Sequence, residues 1–121
     1  ALATLNRLAP GRIDFGVGTG FTGRRTMGMR AISLARMRGY IERVQGLLAG
    51  EVVSAEHEGG RQRYGFLNPE LGLINIEAPI ALHVSALGPQ ARRLTAQLGA
   101  GWINFTADER VAARTLDDMR A

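Results

Sequence analysis

The hydrophobic positions fall into short alternating runs and one long amphipathic stretch. Leu2, Leu5 and Leu8 recur at helical spacing, and Pro10-Gly11 closes that run. From 12 to 18 the period changes to two, with Ile13, Phe15 and Val17 on one face, which predicts a strand. Residues 19–30 carry no period and hold Gly20, Gly23 and Gly28, so they read as a loop. Leu34, Met37, Ile41, Val44 and Leu48 then make one apolar stripe, a helix over 31–49 with Gly50 placed to cap it. Residues 51–78 form a charged excursion, whose first part reads as a hairpin turning at Gly59-Gly60. The unbroken apolar run "IALHVSAL", 80–87, suits a strand of a parallel sheet covered on both faces. A helix over 90–99 turns Ala91, Leu94 and Leu98 inward, and "GWINF", 101–105, is a third strand. Thr106 opens the last helix through a capping box with Glu109.

Alternating strands and helices predict an α/β fold of about three parallel βα units joined by right-handed crossovers. Three strands do not close a barrel, which takes about 250 residues. The chain starts with Ala inside one helical pattern and stops inside another. The expectation is therefore a single segment, 1–121, of a longer protein.

Composition narrows the class. Hydrophobic residues at 45% with 21% charged residues support a packed core and argue against a disordered tail. Cysteine is absent, so there is no disulfide framework and no thiolate metal site. No metal site is expected from the two histidines either. No apolar run reaches the roughly 18 residues of a membrane span, and no signal peptide opens the chain. We expect a cytoplasmic protein that does not engage a membrane. Every basic residue is arginine, a bias of the genome more than of a binding surface, since lysine also neutralises phosphate. The charge is uneven: eight arginines face two acids in residues 1–50, and seven face nine in the remainder. A basic half attracts anions, but no aromatics interleave with it, which disfavours nucleic acid.

The candidate chemistry lies in the glycines. Gly18, Gly20 and Gly23 fit G-x-G-x-x-G after a strand, the dinucleotide fingerprint. The second half of the fingerprint fails. "RRTMGMR" follows where a helix should open, and the only acid at the right distance, Glu42, lies inside a predicted helix. A triphosphate P-loop is excluded, because there is no G-K-[ST]. The loop still offers bare backbone N–H groups as an anion nest, with Arg24 and Arg25 beside it. A second loop, "SALGPQARRL", also leaves a strand through a glycine and enters a helix, whose free N–H groups suit phosphate. In a parallel sheet both loops lie on the same edge, where ligands bind.

The stretches "LNRLAPGRIDFGVGTGFTGR", "LLAGE" and "PIALHVSALGPQARRLTAQLGAGWI" resemble the bacterial luciferase-like family of flavin- and deazaflavin-dependent monooxygenases and oxidoreductases. The resemblance implies the middle of a TIM (β/α)8 barrel, its fourth to sixth strands. It also implies an enzyme acting on a small-molecule substrate with FMN or a deazaflavin coenzyme, the segment alone being inactive. In the family the "GTG" turn lines the cofactor, which here points to Thr19 and Gly20. The turn after the next strand cradles the cofactor phosphate with backbone amides, which points to Leu87 and Gly88 with Gln90 and Ala91. Leu87 replaces a commoner small residue. Some deazaflavin sugar dehydrogenases of the superfamily place a proton-donating glutamate directly after "GTG". Here that position is Phe21, which argues against that chemistry.

Other candidates read first as structural. His57 between Glu56 and Glu58 is a surface histidine; His83 is a hydrogen-bonded core residue, the alternative being a place in the barrel interior near the flavin; Trp102 and Phe105 are packing residues around the third strand, the alternative being a stacking surface for the isoalloxazine ring. No catalytic acid or base can be named. The alternative reading is a non-catalytic α/β binding or assembly module for an anion or nucleic acid, and a homo-oligomer is compatible with either.

Overall fold

The computed structural model describes residues 1–121. In chain order its elements begin with helix α1 (Leu2–Leu8), strand β1 (Asp14–Val17), and helices α2 (Phe21–Thr26) and α3 (Leu34–Leu48). Strands β2 (Val53–His57) and β3 (Gly60–Tyr64) and a 3-10 turn at Pro69–Leu71 follow. The chain ends with strand β4 (Ala81–Ser85), helix α4 (Pro89–Gln97), strand β5 (Gly101–Ile103) and helix α5 (Glu109–Arg120). These elements form two compact units. One joins Ala1–Phe15 to Ala35–Ile80, and the other joins Gly16–Leu34 to Ala81–Ala121. None of the helices is long and apolar enough to cross a membrane.

The first unit is built around α1 and α3. The apolar stripe of α3 is real: Met37 and Ile41 are fully buried, and Val44 and Leu48 half-buried. Burying each of the first two contributes about 1.5–3 kcal/mol. Phe15 packs edge-on against Tyr40, ring centroids 6.4 Å apart. The end of α3 is a Schellman motif. Glu51 N–H donates to the Gly46 carbonyl and Gly50 N–H to the Leu47 carbonyl, both at 2.9 Å. Gly50 takes φ +80°, as the motif requires. The hairpin β2–β3 is antiparallel, with Val53 opposite Tyr64 and His57 opposite Gly60. Its turn therefore sits at Glu58-Gly59, one residue before the expected place, because Gly60 is already paired.

Asn6 holds the excursion down. It is fully buried. Its Nδ2 donates to the carbonyls of Asn75 (3.1 Å) and Ala78 (2.8 Å), and its Oδ1 accepts from Gly11 N–H at 3.1 Å. Asn75 N–H returns a bond to the Ala3 carbonyl at 2.9 Å. Backbone groups of irregular segments must find partners somewhere, and one buried amide supplies two for the excursion and a third for the turn at Gly11.

The second unit carries β4, β5 and the end of β1, Gly16 and Val17, and the strands are ordered β1-β4-β5. β4 and β5 run parallel, pairing His83 with Gly101 and Ser85 with Ile103. Val84 is fully buried, but Ala81 and Ser85 on the other face are exposed. α4 turns Leu94 and Thr95 inward and ends as α3 does, with Gly99 at φ +60° and Ala100 N–H on the Thr95 carbonyl.

Two further expectations are corrected here. Residues 19–30 are not all loop, since Phe21–Thr26 form α2. Gly23 inside that helix lowers its propensity by about 1 kcal/mol and hides it from any reading of periodicity. The cap of α5 is Asp108, not Thr106. Asp108 accepts from Arg110 and Val111 N–H at 2.9 and 3.1 Å, while Thr106 Oγ1 accepts from Asp108 N–H. A carboxylate at a helix start gains from the helix dipole as well as from the hydrogen bonds.

Candidate functional site

The loops after β1 and β4 meet at an open cavity of about 740 Å³, wholly inside the second unit. β1 delivers Gly18, Thr19 and Gly20, and α2 adds Phe21, Thr22 and Gly23. β4 delivers Ser85, Leu87 and Gly88, α4 adds Ala91, and Phe105 arrives from beyond β5. The approach is close because Gly18 has no side chain. A Cβ there would come within 3.2 Å of Ser85 Cβ. Gly20 caps α2 with φ +74°, and Ile32 N–H donates to the Thr19 carbonyl at 3.0 Å, folding the 20–31 segment back onto the strand end.

The β4 loop is fixed on three sides. Ala86, fully buried, donates its N–H to the Ile103 carbonyl at 3.1 Å. Its own carbonyl accepts from Trp102 Nε1 at 2.8 Å. Arg92 Nη1 donates to the Leu87 carbonyl at 2.8 Å, and Nη2 to Asp118 at 3.0 Å. The first hydrogen bond of α4 runs from Arg92 N–H to the Gly88 carbonyl. The N–H groups of Gln90 and Ala91 therefore have no acceptor within the helix. No side chain caps it, and Pro89 occupies the first turn. A Cβ built on Gly88 would meet nothing within 4 Å. Free donors, positive helix dipole and open space suit an anion such as a phosphate.

Of the residues singled out from the sequence, Thr19, Gly20, Leu87, Gly88 and Ala91 all line this cavity, and Gln90 stands beside them in the first turn of α4. Arg24 and Arg25 are not brought in. Arg24 Nε donates to the Arg30 carbonyl at 2.6 Å, and Arg25 lies over the Phe21 ring, 5.8 Å from its centroid. Phe105, expected to pack, is 92% exposed in this chain and stands at the cavity's edge. Its position at a strand end, on the same edge as the two glycine loops, was the signal available. Trp102 does anchor structure, through Ala86. His83 packs its imidazole against Gly101, where a Cβ would come within 2.8 Å of Cε1. His57 is exposed, its ring edge-on to Tyr64.

Two glycine loops converging at the ends of parallel strands define an α/β protein with an open cavity on its carboxyl edge. The family model for luciferase-like monooxygenases matches residues 1–121, and the chain belongs to that family. An F420-dependent glucose-6-phosphate dehydrogenase of Beutenbergia cavernae is 34% identical over an alignment 114 positions long that takes in 85% of this chain. The match covers 31% of that relative's length. No solved structure matches the chain.

Proposed function

We propose that these residues are a sector of a (β/α)8 barrel in a cytoplasmic oxidoreductase, and that they hold the phosphate of a deazaflavin coenzyme. The convergence of the two glycine loops on one cavity carries the assignment. The phosphate would lie on Gly88 with the N–H groups of Gln90 and Ala91, in the space that a side chain at 88 would fill. Leu87 contributes backbone, and its carbonyl is turned to Arg92. Thr19 and Gly20 would line the body of the coenzyme from the other loop. The F420 dependence of the Beutenbergia relative favours a deazaflavin over FMN. When bound, such a coenzyme supplies hydride chemistry to a small-molecule substrate. The residues of this chain bind and orient it and shield it from water. Position 21 holds phenylalanine, so it moves no proton.

The test is a fluorescence titration of the full-length protein with F420 and, separately, with FMN. Saturable binding of F420, tighter than that of FMN, supports the proposal. Binding of neither would sink it.

A further inference from the structure

The two residues that lead into Gly88 both have their carbonyls taken by side chains. Trp102 Nε1 donates to the Ala86 carbonyl and Arg92 Nη1 to the Leu87 carbonyl, each at 2.8 Å. A trans peptide points its N–H opposite to its C=O, and none of the peptides in this chain is cis. Holding the Ala86 carbonyl therefore fixes the direction of Leu87 N–H, and holding the Leu87 carbonyl fixes that of Gly88 N–H. Both carbonyls are drawn toward donors of the protein itself, so both N–H groups are turned away from those donors. A loop that grips an anion needs this polarity, with N–H groups toward the charge and carbonyl oxygens away from it.

The indole clamp is the more sheltered of the two. Ala86 is fully buried, and its own N–H donates to the Ile103 carbonyl at 3.1 Å. β5 thus holds residue 86 by both of its polar groups, one through the backbone of Ile103 and one through the side chain of Trp102. Trp102 lies opposite Val84 in the parallel register, two residues short of Ala86. Reaching forward from there takes a large apolar body with a donor at its tip and no acceptor, which describes an indole. Without that donor the Ala86 carbonyl is left unpaired, at a cost greater than the net worth of the bond. The peptide then gains by turning toward another donor, and Leu87 N–H turns with it. Every atom in this arrangement lies within residues 84–103 of one compact unit.

Resting on the coenzyme reading above, we infer that Trp102 is a positioning residue for the phosphate loop. Through the Ala86 carbonyl, its indole N–H keeps Leu87 N–H among the donors to the anion, beside those of Gln90 and Ala91. It touches neither the coenzyme nor the substrate.

The experiment uses the full-length protein in two altered forms. One is Trp102→Phe. The other has β-(3-benzothienyl)alanine in place of Trp102, which keeps the shape of the ring system and puts sulfur where the N–H stands. Each is titrated with F420 and with the same deazaflavin riboside lacking the phosphate-bearing tail. Amide exchange across 86–91 is followed with and without inorganic phosphate. Both forms should bind F420 about fivefold more weakly, the worth of one hydrogen bond, and the tail-less riboside within about twofold of the unaltered protein. Phosphate should slow exchange in the loop of the unaltered protein and do so less in the altered ones.

Equal losses for the two ligands would overturn the inference, by showing that Trp102 supports the site as a whole. So would unchanged F420 affinity in the benzothienyl form, whatever Trp102→Phe does through lost packing. If F420 fails to bind the unaltered protein while phosphate still protects the loop in a Trp102-dependent way, the coenzyme reading fails and the positioning role stands. If neither F420 nor phosphate acts on the loop, both fall.

Discussion

Arg92 Nη1 donates a 2.8 Å hydrogen bond to the carbonyl of Leu87, five residues earlier, across the glycine that opens α4. The bond ties the first turn of the helix to the loop that feeds it. The Arg92 side chain is only 13% exposed, so water competes weakly for it. Its second partner, Asp118, is 65% exposed, so that half of the bridge contributes little, about 0–1 kcal/mol.

Removing the guanidinium should therefore act mainly on the loop. Arg92→Ala is expected to cost about 1–2 kcal/mol of stability and to weaken coenzyme binding several-fold. Asp118→Asn should do neither to a comparable degree. Denaturant melts and a fluorescence titration of both variants check this. Equal effects in the two would show that the ion pair matters, not the carbonyl bond.

Gly88→Asp separates binding from folding. Gly88 has φ −85°, an ordinary value for any residue, and open space around its Cβ position. Aspartate is also a preferred cap at a helix start, so stability should hold or rise by a few tenths of a kcal/mol. Its carboxylate would occupy the phosphate position, and coenzyme affinity should fall at least about tenfold. A parallel titration and thermal melt read the two quantities. Unchanged affinity would remove the phosphate from this loop.

Asn6 should be among the costliest single positions in the first unit. Asn6→Ala strands the carbonyls of Asn75 and Ala78 and the N–H of Gly11, all partly sheltered from water. The expected loss is about 2–4 kcal/mol, read from the denaturant midpoint. Proteolysis inside 66–78 should accelerate in step, because the anchored segment is released. Coenzyme affinity should change far less than stability does.

The contact between His83 and Gly101 gives a double-mutant test. A Cβ at 101 would run into the imidazole, so Gly101→Ala should cost about 1–3 kcal/mol. In a His83→Ala background the same change should be nearly neutral. Coupling near zero, measured by denaturant unfolding of all four proteins, would mean that the ring simply swings aside.

Much of this architecture is legible in the sequence, for reasons that differ by element. α3 declares itself because Met37 and Ile41 repeat on one face. β4 does so because its apolar run is short and bounded by Pro79 and Gly88-Pro89. The two glycine loops are visible because backbone without side chains is needed where Gly18 meets Ser85. Other features leave no periodic trace. α2 is six residues long with a glycine inside, too short to show a stripe. Asn6 sits among the leucines of α1 as one polar residue, and its partners lie about 70 positions away. The cap on α5 falls two residues beyond Thr106 because both Thr106 and Asp108 are good cappers, and geometry selects the carboxylate. The basic first half of the chain counts for less than its charge suggests. Arg7, Arg24 and Arg38 bond within the chain, to the Gly72 and Arg30 carbonyls and to Glu42. Phe105 looks like a packing residue in the sequence because aromatic residues near strands usually pack. Its exposure depends on which side of the strand end it leaves by.

The central claim is that backbone N–H groups at Gly88–Ala91 hold the phosphate of a deazaflavin coenzyme. The most direct test compares two ligands on the full-length protein: F420, and the same deazaflavin riboside lacking the phosphate-bearing tail. If the loop holds the phosphate, F420 should bind at least about tenfold tighter, and Gly88→Asp should erase that difference by weakening F420 alone. Equal affinities for the two ligands, unaffected by Gly88→Asp, would contradict the account.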